Sequence, residues 1–97
     1  MSQEIGVRSL GIGGREYYTD AKGPYSVPAT LEFHYPTTPN VKAFLLQNNT
    51  ASNIAPLFKV SSGNESHTQI APGDSEIFTL TSGVASSAGT ITLYELF

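Results

Sequence analysis

The sequence predicts an all-β protein: one compact β-sandwich of about seven to eight short antiparallel strands, filling residues 1–97 as a single domain. Three observations carry this expectation. Short apolar stretches are separated by clusters of Gly, Pro, Asn, Asp and Ser about every 8 to 12 residues, the rhythm of sandwich strands. No stretch shows helical periodicity, and Ser, Thr, Asn and Gly stand where a bundle would carry Ala, Glu, Lys, Leu and Arg. A chain that is 39% hydrophobic, 10% aromatic and free of cysteine is neither a disordered segment nor a disulfide scaffold.

Each element has its own warrant. Glu4 to Leu10 reads as the first strand, with Ile5, Val7 and Leu10 apolar, and Gly11 to Gly14 as a flexible turn. Arg15 to Thr19 reads as a short second strand. Asp20 to Pro28, interrupted by Gly23-Pro24 and Val27-Pro28, reads as a long loop. Thr30 to Tyr35 alternates, with Leu31, Phe33 and Tyr35 on one side and Thr30, Glu32 and His34 on the other. Pro36 to Asn40 is a turn, because two prolines cannot sit in a ladder. Val41 to Gln47 is apolar on both faces in its second half, where Phe44 and Leu46 lie opposite Ala43 and Leu45. Asn48 to Asn53 is a polar turn. Ile54 to Ser61 is a strand whose Pro56 suits an edge or a bulge. Ser66 to Ile70 is a short strand, and Ala71-Pro72-Gly73-Asp74 fits a type II turn. Ser75 to Thr81 returns as a strand, Ser82 to Ala88 reads as a small-residue loop, and Gly89 to Phe97 closes as a strand rich in Thr, Ile, Leu and Tyr. Periodicity leaves the strand order open between a jelly-roll and an immunoglobulin-like sandwich. The cysteine pair and core tryptophan of antibody domains are both missing.

Charge narrows the function classes. The formal net charge is −3 and only 13% of residues are charged, about half the usual share of roughly 25%. Arg8, Arg15, Lys22, Lys42 and Lys59 are scattered, so neither phosphate backbones nor anionic membrane surfaces are expected partners. No apolar run approaches the length of a membrane span. The first residues have neither the basic nor the apolar region of a signal peptide, so a soluble protein is expected.

Motifs for chemistry are weak. Gly11-Ile12-Gly13-Gly14-Arg15-Glu16 lacks the third glycine of a dinucleotide fingerprint and no helix signal follows it. His34 and His67 have no metal-ligand spacing around them, although His34 shares a strand face with Glu32. No Asp-x-Asp run suggests calcium. Glu32, Glu65, Asp74, Glu76 and Glu95 could pair on paper, but a sandwich this small offers little concave surface in which to bury a catalytic pair. No catalytic residue, metal or cofactor is expected, and the chain reads as a non-enzyme. Asn48-Asn49-Thr50 and Asn64-Glu65-Ser66 match the glycosylation pattern but read as ordinary turns.

The aromatic and apolar residues are the better candidates. Tyr17, Tyr18 and Tyr25, with Tyr35, surround the Asp20 to Pro28 segment and have the chemistry to stack on a sugar or anchor a protein. Phe44, Leu46, Tyr94, Leu96 and Phe97 supply more apolar surface than one small core consumes. A chain end as apolar as Leu96-Phe97 frays unless it is docked. All of these but Tyr35, eight residues, form the expected interface, and a homo-oligomer is expected.

From Val41 onward the chain has a recognisable cadence. Lys42-Ala43-Phe44-Leu45-Leu46-Gln47-Asn48 leads to Asn53-Ile54 and Lys59-Val60-Ser61-Ser62-Gly63, then to Ile70-Ala71-Pro72-Gly73-Asp74-Ser75, Phe78-Thr79-Leu80 and Gly89-Thr90-Ile91-Thr92-Leu93. Over about half its length the chain resembles the small all-β structural proteins of tailed bacteriophages and other virus particles, in particular capsid cement or decoration proteins. The resemblance implies a non-enzymatic role in the virion, stabilising a shell of major capsid protein, with other virion proteins as partners. It carries over no site residue. A glycan- or receptor-binding sandwich of a phage tail or fibre is the alternative.

Overall fold

The computed structural model describes residues 3–6, 18–79 and 82–97. Among these there is no helix, and eight strands form two antiparallel sheets. They are β1 (Gln3–Gly6), β2 (Asp20–Val27), β3 (Ala43–Gln47), β4 (Ala55–Val60), β5 (Gly63–Ser66), β6 (Ser75–Thr79), β7 (Val84–Ala88) and β8 (Ile91–Leu96). One sheet has the order β1-β2-β8-β3-β6 and the other β5-β4-β7.

The order resolves the alternative that periodicity leaves open. An antibody-type sandwich keeps its first two strands paired within one sheet together with its fourth and fifth. Here the chain instead alternates between sheets. It runs from β2 in the larger sheet to residues 30–35, which meet the smaller sheet through a bridge between His34 and Val84. It returns for β3, crosses for β4 and β5, and ends β6, β7, β8 on alternate sides. Setting β1 aside as an added edge strand, this winding is that of a jelly roll.

Several elements differ from expectation for local reasons. Asp20–Val27 is a strand and not a loop. Its register against β8 shifts between Lys22 and Tyr25, so a bulge absorbs Gly23 and Pro24 while Ala21 and Val27 still bury. Residues 30–35 make only a single bridge, because Leu31 has φ 64°, which breaks the extended path. Val84–Ala88 is a strand built from small residues, held by pairing to β4 and by burial of Val84, Ala85 and Ser86. The strand expected at Ser66 to Ile70 lies earlier, at Gly63–Ser66, leaving Ile70 bridged to Ile54. The strand expected at Arg15 to Thr19 falls mostly outside the described residues. Pro56 sits at a register shift in β4, as a proline in a central strand must. Asp74 N donates to Ala71 O across the Pro72-Gly73 turn, and Gly73 has φ 82°, the geometry of type II.

The main core lies between the sheets and includes Val27, Phe44, Leu46, Ile54, Phe58, Val84, Ile91 and Leu93. A second apolar cluster, of Ala21, Ala43, Leu45 and Leu96 with Tyr18, Ile77 and Tyr94, occupies the other face of the larger sheet. Strand β3 thus contributes to both clusters, as its two-faced sequence anticipates.

The β7–β8 crossing depends on Gly89, at φ 73°, where a Cβ would stand 2.8 Å from Ile54 Cγ2. A Gly89→Ala variant is expected to lose about 1–3 kcal/mol of stability, from left-handed strain together with the clash at a buried isoleucine. A urea midpoint equal to that of the wild type would show that the crossing tolerates a side chain.

Candidate functional site

Strand β8 brings an acid into the sandwich. Ile91, Leu93 and Glu95 share one phase of the strand, the first two lie in the main core, and Glu95 is fully buried. A carboxylate there must be satisfied by donors. Thr37 supplies two, its N–H to Oε2 at 2.9 Å and its hydroxyl to Oε1 at 2.5 Å. His34 supplies the third, with Nε2 3.0 Å from Oε2. A carboxylate only accepts, so Nε2 is the donor in this contact.

His34 is held on its faces as well. Its ring lies 4.6 Å from that of Tyr25 and edge-on to Phe44 at 5.7 Å. His34, which shares a strand face with Glu32 in the sequence, thus meets a carboxylate 61 positions away on another strand. The two Thr37 bonds occupy the acid alongside the imidazole, so the cluster ties the crossover from β2 to β3 onto β8.

A hollow of about 240 Å³ opens next to this cluster, lined by Ser26, Val27, Pro28, Thr30, Glu32, Phe33 and His34. A tight turn makes it. Thr30 N donates to Pro28 O at 2.8 Å, folding the end of β2 back toward residues 30–34.

His67 has a different setting. Its Nδ1 donates to Thr68 O at 2.7 Å, its ring is edge-on to Phe58 and Phe78, and Nε2 lies 3.6 Å from Glu76. Among the described residues no three His, Cys, Asp or Glu side chains gather in a metal-binding group. Asn48 is also a structural residue. It is fully buried, donates to Ser52 O and Ile70 O, and accepts from the N–H and hydroxyl of Thr50, which leaves its amide no room for a glycan.

The eight expected interface residues do not form one surface. Phe44 and Leu46 lie between the sheets and Leu96 lies in the second cluster, each 0–1% exposed, so these three belong to the chain's own interior. The expectation of an exposed second face at Phe44 and Leu46 inverted the strand: Ala43 and Leu45 point to the outer cluster instead. Tyr25 and Phe97 pack against the main core, and Tyr18 and Tyr94 against the second cluster, all half-buried. Tyr17 is outside the described residues. Among the described residues Tyr18 and Tyr25 fall in different clusters and Tyr35 in neither, so these three share no stacking platform.

The exposed large hydrophobic residues are instead Leu31 and Tyr35, at 59% and 51%. His34 points inward toward Phe44 and Glu95, so its neighbours Phe33 and Tyr35 point away from the core. Lys59 Nζ stands 5.6 Å from the Phe33 ring, and a Cβ on Gly83 would meet the Tyr35 ring at 2.9 Å. Phe33 and Tyr35, with ring centroids 6.2 Å apart, therefore form an apolar stripe against the outer side of the smaller sheet. The sequence signal was present: an alternating stretch bracketed by Pro28 and Pro36 is an edge, and the outer phase of an edge is uncovered.

No family model, curated protein or solved structure matches this chain. Function must therefore be argued from the fold and these two surfaces. No helix among the described residues is long and apolar enough to cross a membrane.

Proposed function

We propose that the protein is a non-enzymatic structural component of a virus particle, a cement or decoration subunit that associates with its own kind and packs on the major capsid protein shell. The observation that carries the reading is the apolar stripe on the outer side of the smaller sheet, half-buried Phe33 beside exposed Tyr35, with exposed Leu31 two residues before Phe33 in the chain. Apolar side chains exposed side by side on a small protein mark an association surface, and Tyr and Phe are enriched in such surfaces. Low charge supports it, since ordering short Ser, Thr and Asn side chains costs less entropy than ordering Lys and Glu. The jelly-roll winding is shared with viral capsid domains, a likeness of architecture alone.

Sedimentation velocity of the purified protein, with co-sedimentation on shells of the major capsid protein encoded nearest its gene, tests the reading. Association and shell binding are expected for the wild type. Both are expected to be lost in the Leu31→Ser/Tyr35→Ser double variant, whose stability should change by no more than about 0.5 kcal/mol per exposed site. A wild-type monomer that stays in the supernatant overturns the proposal.

A further inference from the structure

We propose that the hollow beside His34 binds a single neutral sugar ring, a property separate from packing on a shell. Four observations lead there. At about 240 Å³ the hollow is smaller than the pockets of about 300–1,000 Å³ that take drug-sized ligands, which suits one ring and not an extended molecule. Its lining alternates apolar and hydrogen-bonding groups. Phe33 and Pro28 offer a surface for the C–H face of a sugar, while Ser26, Thr30, Glu32 and His34 offer donors and acceptors for hydroxyls.

The imidazole is pre-oriented. Its Nε2–H is committed to a wholly buried carboxylate and its ring is fixed by Tyr25 and Phe44, so the ring is held in one orientation for a ligand hydroxyl to meet. Such fixing reduces the entropy cost of binding. The backbone is strained at Leu31, which is not itself a lining residue but joins Thr30 to Glu32 in the wall. Leu31 takes φ 64° while its side chain stays 59% exposed, so the conformation is held without core burial of that residue. Strain of this kind clusters at ligand sites.

Charge selects the ligand class. The acid in the lining is the Glu32 carboxylate. An anion is repelled by it, and a divalent cation lacks a second acid. Hydroxyls remain, since they can donate to the carboxylate, bond the imidazole in either direction and accept from Ser26 and Thr30.

The test is an amide chemical-shift titration of the full chain with glucose, galactose, mannose and N-acetylglucosamine, and with N-acetylneuraminic acid as an anionic sugar. Fast-exchange shifts confined to residues 26–34 are expected with at least one neutral sugar, at a millimolar Kd. The exposed Glu32→Ala change is expected to weaken binding about tenfold, as loss of a charged hydrogen-bond acceptor does. It leaves Leu31 and Tyr35 in place, so sugar binding and self-association can fail independently. Shifts from the anionic sugar of equal size, shifts elsewhere on the protein, an unaltered Kd in Glu32→Ala, or no shifts at a concentration of roughly 50 mM would each overturn the assignment.

Discussion

The Glu95→Ala variant is expected to unfold with a free energy about 3–5 kcal/mol below that of the wild type, the loss that follows when three donors lose one shared buried acceptor. The geometry explains the size. Glu95 is fully buried and is the acceptor for three donors, the Thr37 N–H, the Thr37 hydroxyl and His34 Nε2. Alanine leaves each donor without that acceptor, at a desolvation cost of about 1–3 kcal/mol for each group that stays buried. Relaxation of the Pro28–Asn40 crossover toward water keeps the sum below simple addition. For a chain of this length, 1 kcal/mol moves the melting temperature by about 4–8 °C, so a fall of about 15 °C or more should appear in a thermal scan. Glu95→Gln keeps an acceptor oxygen but turns an NH₂ toward donors, and about half the loss is expected. Hydrogen exchange adds a local readout. The Thr37 amide should exchange faster in both variants under conditions where the β3 amides remain protected. A denaturation midpoint unchanged in Glu95→Ala would show that the crossover is held by other contacts.

The cluster also shows which parts of this molecule the sequence makes legible. Fold class was readable because it rests on local signals: apolar alternation in β3 and β8, the Pro72-Gly73 turn, and the proline that marks the bulge in β4. Two strands were missed because their stability is not local. Strand β2 runs through Gly23-Pro24, and only pairing with β8 and a bulge make the path extended. Strand β7 is mostly Ala and Ser, residues of low strand preference, and it exists through its pairing with β4. The site was half legible. Glu95 continues the apolar phase of Ile91 and Leu93, which already marks it as an acid on a core face. Its partners, 58 and 61 positions away, are brought to it by the winding of the chain. The apolar stripe was visible as an alternation at Leu31, Phe33 and Tyr35. Whether its outer phase would be covered depended on which strand lies at the sheet edge, and that is a property of the topology.

Phe44→Ala is expected to lower stability by about 3–5 kcal/mol, the range for removing a buried phenylalanine ring. Its side chain is 1% exposed, packs between the sheets and meets the His34 ring edge-on at 5.7 Å. Truncation leaves a cavity that the paired strands on either side of β3, β6 and β8, cannot close without breaking ladder bonds. The ring also packs against the histidine that Glu95 holds. Phe44→Ala and Glu95→Ala should therefore be non-additive, with a double-variant loss that departs from the sum by more than about 0.5 kcal/mol. The measurement separates two roles for one residue. If Phe44 served a partner surface, truncation would change stability by no more than about 0.5 kcal/mol and would abolish association. Placed in the core, it should lower the urea midpoint sharply, while protein still folded at low temperature sediments as the wild type does. The Leu31→Ser/Tyr35→Ser variant should give the reverse pattern. Identical behaviour of the two variants in both assays would contradict the assignment of the interior to Phe44 and of the association surface to the stripe.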